Sequence, residues 1–138
     1  MPQNCLYCHN KAVLDSLMIK IADLEVSTLY LFKEQTHPGR CVVAYKDYIG
    51  QQFEIPEEDW VKFMLDTRRA AVAIDRAFYP DKINFGAYSD TLKHAHWHLV
   101  PKDQDGPEWG GVFAMNPKQT YLTDEQYADT IARIRVEL

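Results

Sequence analysis

The chain has 138 residues, enough to bury one sizeable core but not two, and no repeat or linker divides it, so a single domain over residues 1–138 is expected. Its 46% hydrophobic and 25% charged content is that of an ordinary globular protein, and a formal charge of −5 offers no bulk attraction to nucleic acid or to an acidic membrane surface. No apolar run approaches the roughly 20 residues that cross a bilayer, the opening Met-Pro-Gln-Asn-Cys lacks the parts of a secretory leader, and three cysteines make no disulfide framework, so a cytoplasmic protein is expected.

Val13, Leu14, Leu17, Met18 and Ile21 fall on one helical face, which predicts a helix from about Asn10 to Ala22. Leu24 to Lys33, rich in β-branched and aromatic residues, reads as a strand. His37-Pro38-Gly39 reads as a turn, and Arg40 to Lys46 as a strand covered on both faces. Pro56 followed by Glu57, Glu58 and Asp59 makes a favourable first turn for a long helix, because proline loses no useful donor there and carboxylates suit the positive helix end. Apolar residues keep helical spacing from Trp60 to Phe78, with a stop at Pro80. Two extended segments follow, about Lys82 to Tyr88 and Ala95 to Pro101. A Gly/Pro-rich loop from Asp105 to Pro117 then leads to a last helix, marked by a capping box of Thr123 and Gln126 and a staple of Leu122 with Tyr127. The partial segregation of helices and strands predicts an α+β domain, an antiparallel sheet packed by one long helix with N- and C-terminal helices.

The segment most informative about chemistry is His94-Ala95-His96-Trp97-His98-Leu99-Val100. Alternation along a strand sends all three imidazoles to one face. Three of the five histidines in the chain lie within these five residues. A plain structural cluster is one reading. A second is a three-histidine zinc site, which usually wants an acidic or further histidine partner. The third is a neutral imidazole nucleophile, oriented and assisted by its neighbours.

His-x-His-x-His followed by two apolar residues and Pro101-Lys102 resembles the signature of the histidine triad (HIT) family. Asn84-x-Gly86, Gly39 to Lys46 and Cys5-x-x-Cys8 resemble further segments of that family, so the likeness spans nearly the whole chain. It implies a nucleotide hydrolase or phosphoramidase acting at an α-phosphate, with a nucleotidyltransferase or a catalytically weak nucleotide-binding module as alternatives. His96 would attack and form a covalent nucleotidyl-histidine, with His94 orienting it through its backbone carbonyl. His98 would donate to a phosphate oxygen, and Thr91 would assist the leaving group. Asn84 and Ser89, with His98, would bind substrate. The resemblance also implies a purine nucleotide substrate, typically adenosine, a homodimer whose sheets join across the two-fold, and no required cofactor.

Two departures from that pattern stand out. Ser89-Asp90 occupies the place of a usual Gly-Gln, bringing a carboxylate near the phosphate site. Arg40 stands where relatives commonly have histidine, and reads as a surface change. In zinc-bearing relatives the cysteine pair is joined by the first triad histidine and one more histidine, so Cys5, Cys8 and His94 are the candidate ligands of a structural zinc. Tyr48 falls at the fourth position, and a phenol, titrating near pH ~10, is a poor zinc ligand. Trp109 reads either as a loop residue packed on the core or as a specificity or dimer element.

Overall fold

The computed structural model describes residues 5–138. Five strands form one antiparallel sheet: β1 (Met18–Asp23), β2 (Ser27–Phe32), β3 (Cys41–Tyr45), β4 (Lys82–Gly86) and β5 (His96–Lys102). Their order across the sheet is β1-β2-β3-β5-β4. The helices are α1 (Lys11–Leu17), α2 (Glu57–Phe78) and α3 (Asp124–Arg135). No helix among the described residues is long and apolar enough to cross a membrane.

One face of the sheet carries the main core. Leu29, Leu31, Val43 and Leu99 point there and pack on Phe63, Ala70 and Ile74 of α2 and on Tyr127, Ile131 and Ile134 of α3. Alanines at 70, 73 and 77 of α2 are buried, and their small side chains let the helix lie close to the strands. The carboxylate-rich first turn of α2 is as expected, and the helix stops at Tyr79, held in the left-handed region (φ 52°), before Pro80. The capping box of α3 is formed on both sides by Thr123 and Gln126. The Tyr127 hydroxyl accepts from the Leu122 N–H and donates to the Lys33 carbonyl at 2.7 Å, tying α3 to the end of β2.

Two boundaries differ from expectation. The first helix ends at Leu17, and Met18–Asp23 is strand β1. Met18 and Ile21 are both buried, but in different clusters: Met18 packs with Phe32 and Val42, Ile21 with the main core. Burial at a spacing of three, which read as one helical face, is here burial on both sides of a strand. The expected strand from Leu24 starts instead at Ser27, because residues 24–26 form the β1–β2 turn. That turn is held from α2: the buried Asp66 carboxylate accepts from Val26 N–H (2.9 Å), Ser27 hydroxyl (2.7 Å) and Glu25 N–H (3.2 Å). All five residues of β3 are buried, as two-sided coverage requires.

Candidate active site

The opposite face of the sheet carries the triad. Residues directly opposed in an antiparallel ladder share a face. His96 lies opposite Ala44, and His98 lies between Val42 on β3 and Gly86 on β4. Met18, Phe32 and Val42 form a small apolar cluster on this side, joined by Leu14 and Leu17 of α1 and by Tyr7. A long strap, residues 103–122, closes the other end. Its ties are polar: Lys102 donates to the Glu108 and Gly111 carbonyls, Glu108 accepts from the Ala114 N–H and meets His37 at 2.7 Å, and Glu34 accepts from the Gln119 and Thr120 N–H groups. Gly86 has no room for a side chain, since a Cβ there would lie 2.8 Å from Phe113 of the strap and 2.9 Å from Tyr88. That close approach accounts for glycine in Asn84-x-Gly86.

Between α1, the strap and residues 88–92 lies a cavity of about 470 Å³. His96 and His98 line it, with Ser89, Asp90 and Thr91 on one side and an apolar wall including Met18 and Phe32 on the other. The rings of His96 and His98 are 5.1 Å apart. The Nδ1 of His96 lies 2.6 Å from the His94 carbonyl, which can only accept, so Nδ1 carries the proton and Nε2 keeps its lone pair. The Ser89 hydroxyl reaches the same Nδ1 at 3.2 Å and the His94 carbonyl at 3.4 Å. Burial outweighs that carbonyl contact and lowers the His96 pKa, which favours the neutral nucleophilic form.

His94 precedes β5 and does not line the cavity. Its Nε2 donates to the Tyr45 carbonyl at 2.6 Å, leaving the Nδ1 lone pair 3.2 Å from Cys5 Sγ and 3.5 Å from Cys8 Sγ. The three ligand atoms lie within 4.8 Å of one another. A carbonyl on the far nitrogen is the usual partner of a metal-bound histidine, so the donor set and its orientation fit a cation such as zinc. Burial and the neighbouring Cys5 thiol push the Cys8 thiol up to about 12, so a metal binding here would displace protons. The Tyr48 ring stands edge-on to His94, centroids 5.9 Å apart, beside this group.

The remaining expected residues divide. Ser89 and Thr91 line the cavity, and so does the exposed Asp90. Asn84 does not: it lies on the triad's face of β4 opposite Val100, and borders a separate surface depression with Tyr88 and Phe113. Trp109 is 43% exposed on the strap and lies off the cavity. Arg40 is a correction. It is no surface residue but is fully buried, behind His98, because its guanidinium lies over the Phe32 ring and finds the strap's carbonyls. One signal for it was available, a lone charge heading a run of five apolar residues; Tyr7, which packs on both His94 and His96, left none.

No protein-family model and no curated protein matches the sequence. Solved structures do match. A histidine triad protein from Sinorhizobium meliloti superposes with a TM-score of 0.85 at 23% identity, over 92% of this chain and 94% of that one. A hypothetical histidine triad nucleotide-binding protein from Sulfolobus tokodaii gives 0.71 at 17% identity, over 92% and 88%. A zinc-bound histidine triad family protein from Mycobacterium smegmatis gives 0.64 at 19% identity, over 98% and 93%. The architecture is therefore an α+β sheet with one face given to helices and the other to a histidine-lined cavity. It is the histidine triad fold.

Proposed function

We propose that the chain is a nucleotide hydrolase or phosphoramidase that works through a covalent nucleotidyl-histidine on His96. The observation that carries this is the 2.6 Å contact from His96 Nδ1 to the His94 carbonyl, which leaves Nε2 as the basic nitrogen of a residue lining the cavity. Nε2 forms a bond to the α-phosphorus while the P–N or P–O bond to the leaving group breaks, and Thr91 assists that departure. His98 donates to a non-bridging oxygen as charge builds. Water then attacks phosphorus, releasing a nucleoside monophosphate and returning His96. The apolar wall of Met18 and Phe32 suits a purine base, and adenosine is the expected one. Asn84 would meet only a substrate long enough to reach the neighbouring depression, such as a dinucleoside polyphosphate.

Cys5, Cys8 and His94 would hold a structural zinc, which supplies cross-linking of the N-terminal segment to the triad and no step of the reaction. The outer edge of β4 ends the sheet, and we place a second copy of the chain there. Three free cysteines fit a cytoplasmic setting. A second reading, a weakly catalytic nucleotide-binding module, is favoured by Asp90 in the cavity, since a carboxylate there repels phosphate. Acceptor transfer in place of hydrolysis would share the first step.

The test is turnover of an adenosine phosphoramidate with intact-protein mass spectrometry. The parent should release AMP and show an adenylyl adduct on His96, and His96→Ala should bind nucleotide but not turn over. Turnover by His96→Ala within about tenfold of the parent removes the assignment. Binding by the parent with neither adduct nor AMP selects the binding module.

A further inference from the structure

Arg40 is the largest side chain that the fold buries completely. A buried arginine ordinarily faces a carboxylate, because an uncompensated charge in a low dielectric is costly. None of the contacts of Arg40 is a carboxylate. Nη1 donates to the Ala114 carbonyl at 3.1 Å, and Nη2 to the Met115 carbonyl at 3.0 Å, with the Met115 sulfur at 3.8 Å. Nη2 also meets His98 Nδ1 at 3.2 Å, and Nε has no partner among the described residues. The guanidinium lies over the rings of Phe32 (4.3 Å) and Phe113 (5.0 Å), whose faces attract a cation.

We propose that Arg40 is the positioning residue of His98, its guanidinium holding that imidazole as the Nε2–H tautomer and fastening it to the strap that walls the cavity. A guanidinium only donates, so the nitrogen it meets must be the one with the lone pair. The other tautomer would set N–H against N–H, and an imidazolium would set charge against charge. Both are excluded by one contact. His98 therefore presents a proton on Nε2, the nitrogen left for a phosphate oxygen. The same guanidinium grips consecutive carbonyls of the strap, whose Met115 and Asn116 line the cavity, so the donor and that wall are set together.

The electrostatics agree in direction. Phe32 of β2, Arg40 before β3, His96 of β5 and Phe113 of the strap pack on His98, and of these only Arg40 and His96 are titratable. Burial, then Arg40, then His96 pull the His98 pKa down to about 3, so the imidazole stays a neutral donor throughout the physiological range. Burial also lowers Arg40 to about 10, with Glu34 and Glu108 nearby opposing it, and the side chain remains charged. This role rests on the reading of His98 as a phosphate donor, but the tautomer can be observed whether or not the protein is an enzyme.

The experiment is 15N NMR of the histidine side chains in the full chain, with Arg40→Met and Arg40→Lys, alongside phosphoramidate kinetics. In the parent, His98 should show a lone-pair Nδ1 and a protonated Nε2 without titrating between about pH 5 and 8. Arg40→Met should mix the tautomers, bring His98 back toward ordinary titration and lower kcat about 10- to 100-fold with KM changed less than about threefold. Arg40→Lys, which keeps a donor and a charge, should restore the tautomer in part. An Nδ1–H tautomer or an imidazolium in the parent at neutral pH overturns the proposal, and this needs no variant to fold. So does an Arg40→Met protein that folds and keeps the parent spectrum. Parent and Arg40→Met spectra as expected, with no turnover by either, would leave Arg40 in place and reject the enzymatic reading instead.

Discussion

Ser89 sits in the left-handed region at φ 59°, a conformation that costs a residue with a Cβ about 1–2 kcal/mol relative to glycine. Its hydroxyl contacts His96 Nδ1 and the His94 carbonyl, and a net hydrogen bond of this kind contributes about 0.5–1.5 kcal/mol. Two substitutions separate these effects. Ser89→Ala keeps the strained backbone and loses the hydroxyl, so it should destabilise by about 1 kcal/mol, a fall of roughly 3–5 °C in Tm for a chain of this length. Ser89→Gly also loses the hydroxyl but relieves the strain, less about 0.4–1 kcal/mol for the freer unfolded chain, so its Tm should lie close to that of the parent. Turnover should rank differently. Both variants lack the group that helps fix His96, and both should lose the same few-fold in kcat. Thermal melts by circular dichroism with phosphoramidate turnover on the same samples read both quantities. A Ser89→Gly protein less stable than Ser89→Ala by the whole cost of the freer unfolded chain would show that no strain is stored at this position. A Ser89→Gly protein with full turnover beside a slow Ser89→Ala would show that backbone, not hydroxyl, governs His96.

Ser89 also shows which parts of the site are readable from sequence. The triad is local: three histidines at alternate positions of one strand need only the strand's geometry to share a face, and the chain order of the elements is enough for an α+β sheet. The role of Ser89-Asp90 is not local. That a glycine position is filled by serine becomes meaningful only when φ is known and when the hydroxyl is seen within reach of His96. Arg40 was misread for the same reason, because its partners lie 58 residues away at His98 and 74 and 75 residues away at Ala114 and Met115. The error at Met18–Asp23 is of another kind. Burial on both faces of a short strand repeats at i and i+3 and imitates a helix, and pairing with β2 decides the outcome. Asp66 reads as an ordinary polar position on a helix, yet its carboxylate sets where β2 begins.

The metal and the strap each offer a further test. Stripping with a strong chelator should lower Tm if Cys5, Cys8 and His94 hold zinc, Cys8→Ser should abolish that metal-dependent increment, and turnover of the folded protein should hardly change. Complete, zinc-reversible loss of turnover without unfolding would make the metal a participant in the chemistry. For the strap, the group to perturb is Glu34. Burial pushes its carboxyl up, but donors from Thr36, Thr120 and Gln119 outweigh burial and hold it below the usual range. The folded state thus prefers the carboxylate more than the unfolded chain does. The resulting stability is fully present above about pH 4.3, the ordinary glutamate value, and is lost as pH falls through the lower folded value. Glu34→Gln should cost roughly 2 kcal/mol at neutral pH, since an amide turns N–H groups toward donors the carboxylate satisfied. It should also flatten the acid limb of a stability–pH profile measured by urea unfolding. If the variant and parent profiles ran parallel from neutral pH to about pH 3, the ionised carboxylate of Glu34 could not be what fastens residues 119 and 120 to the end of β2.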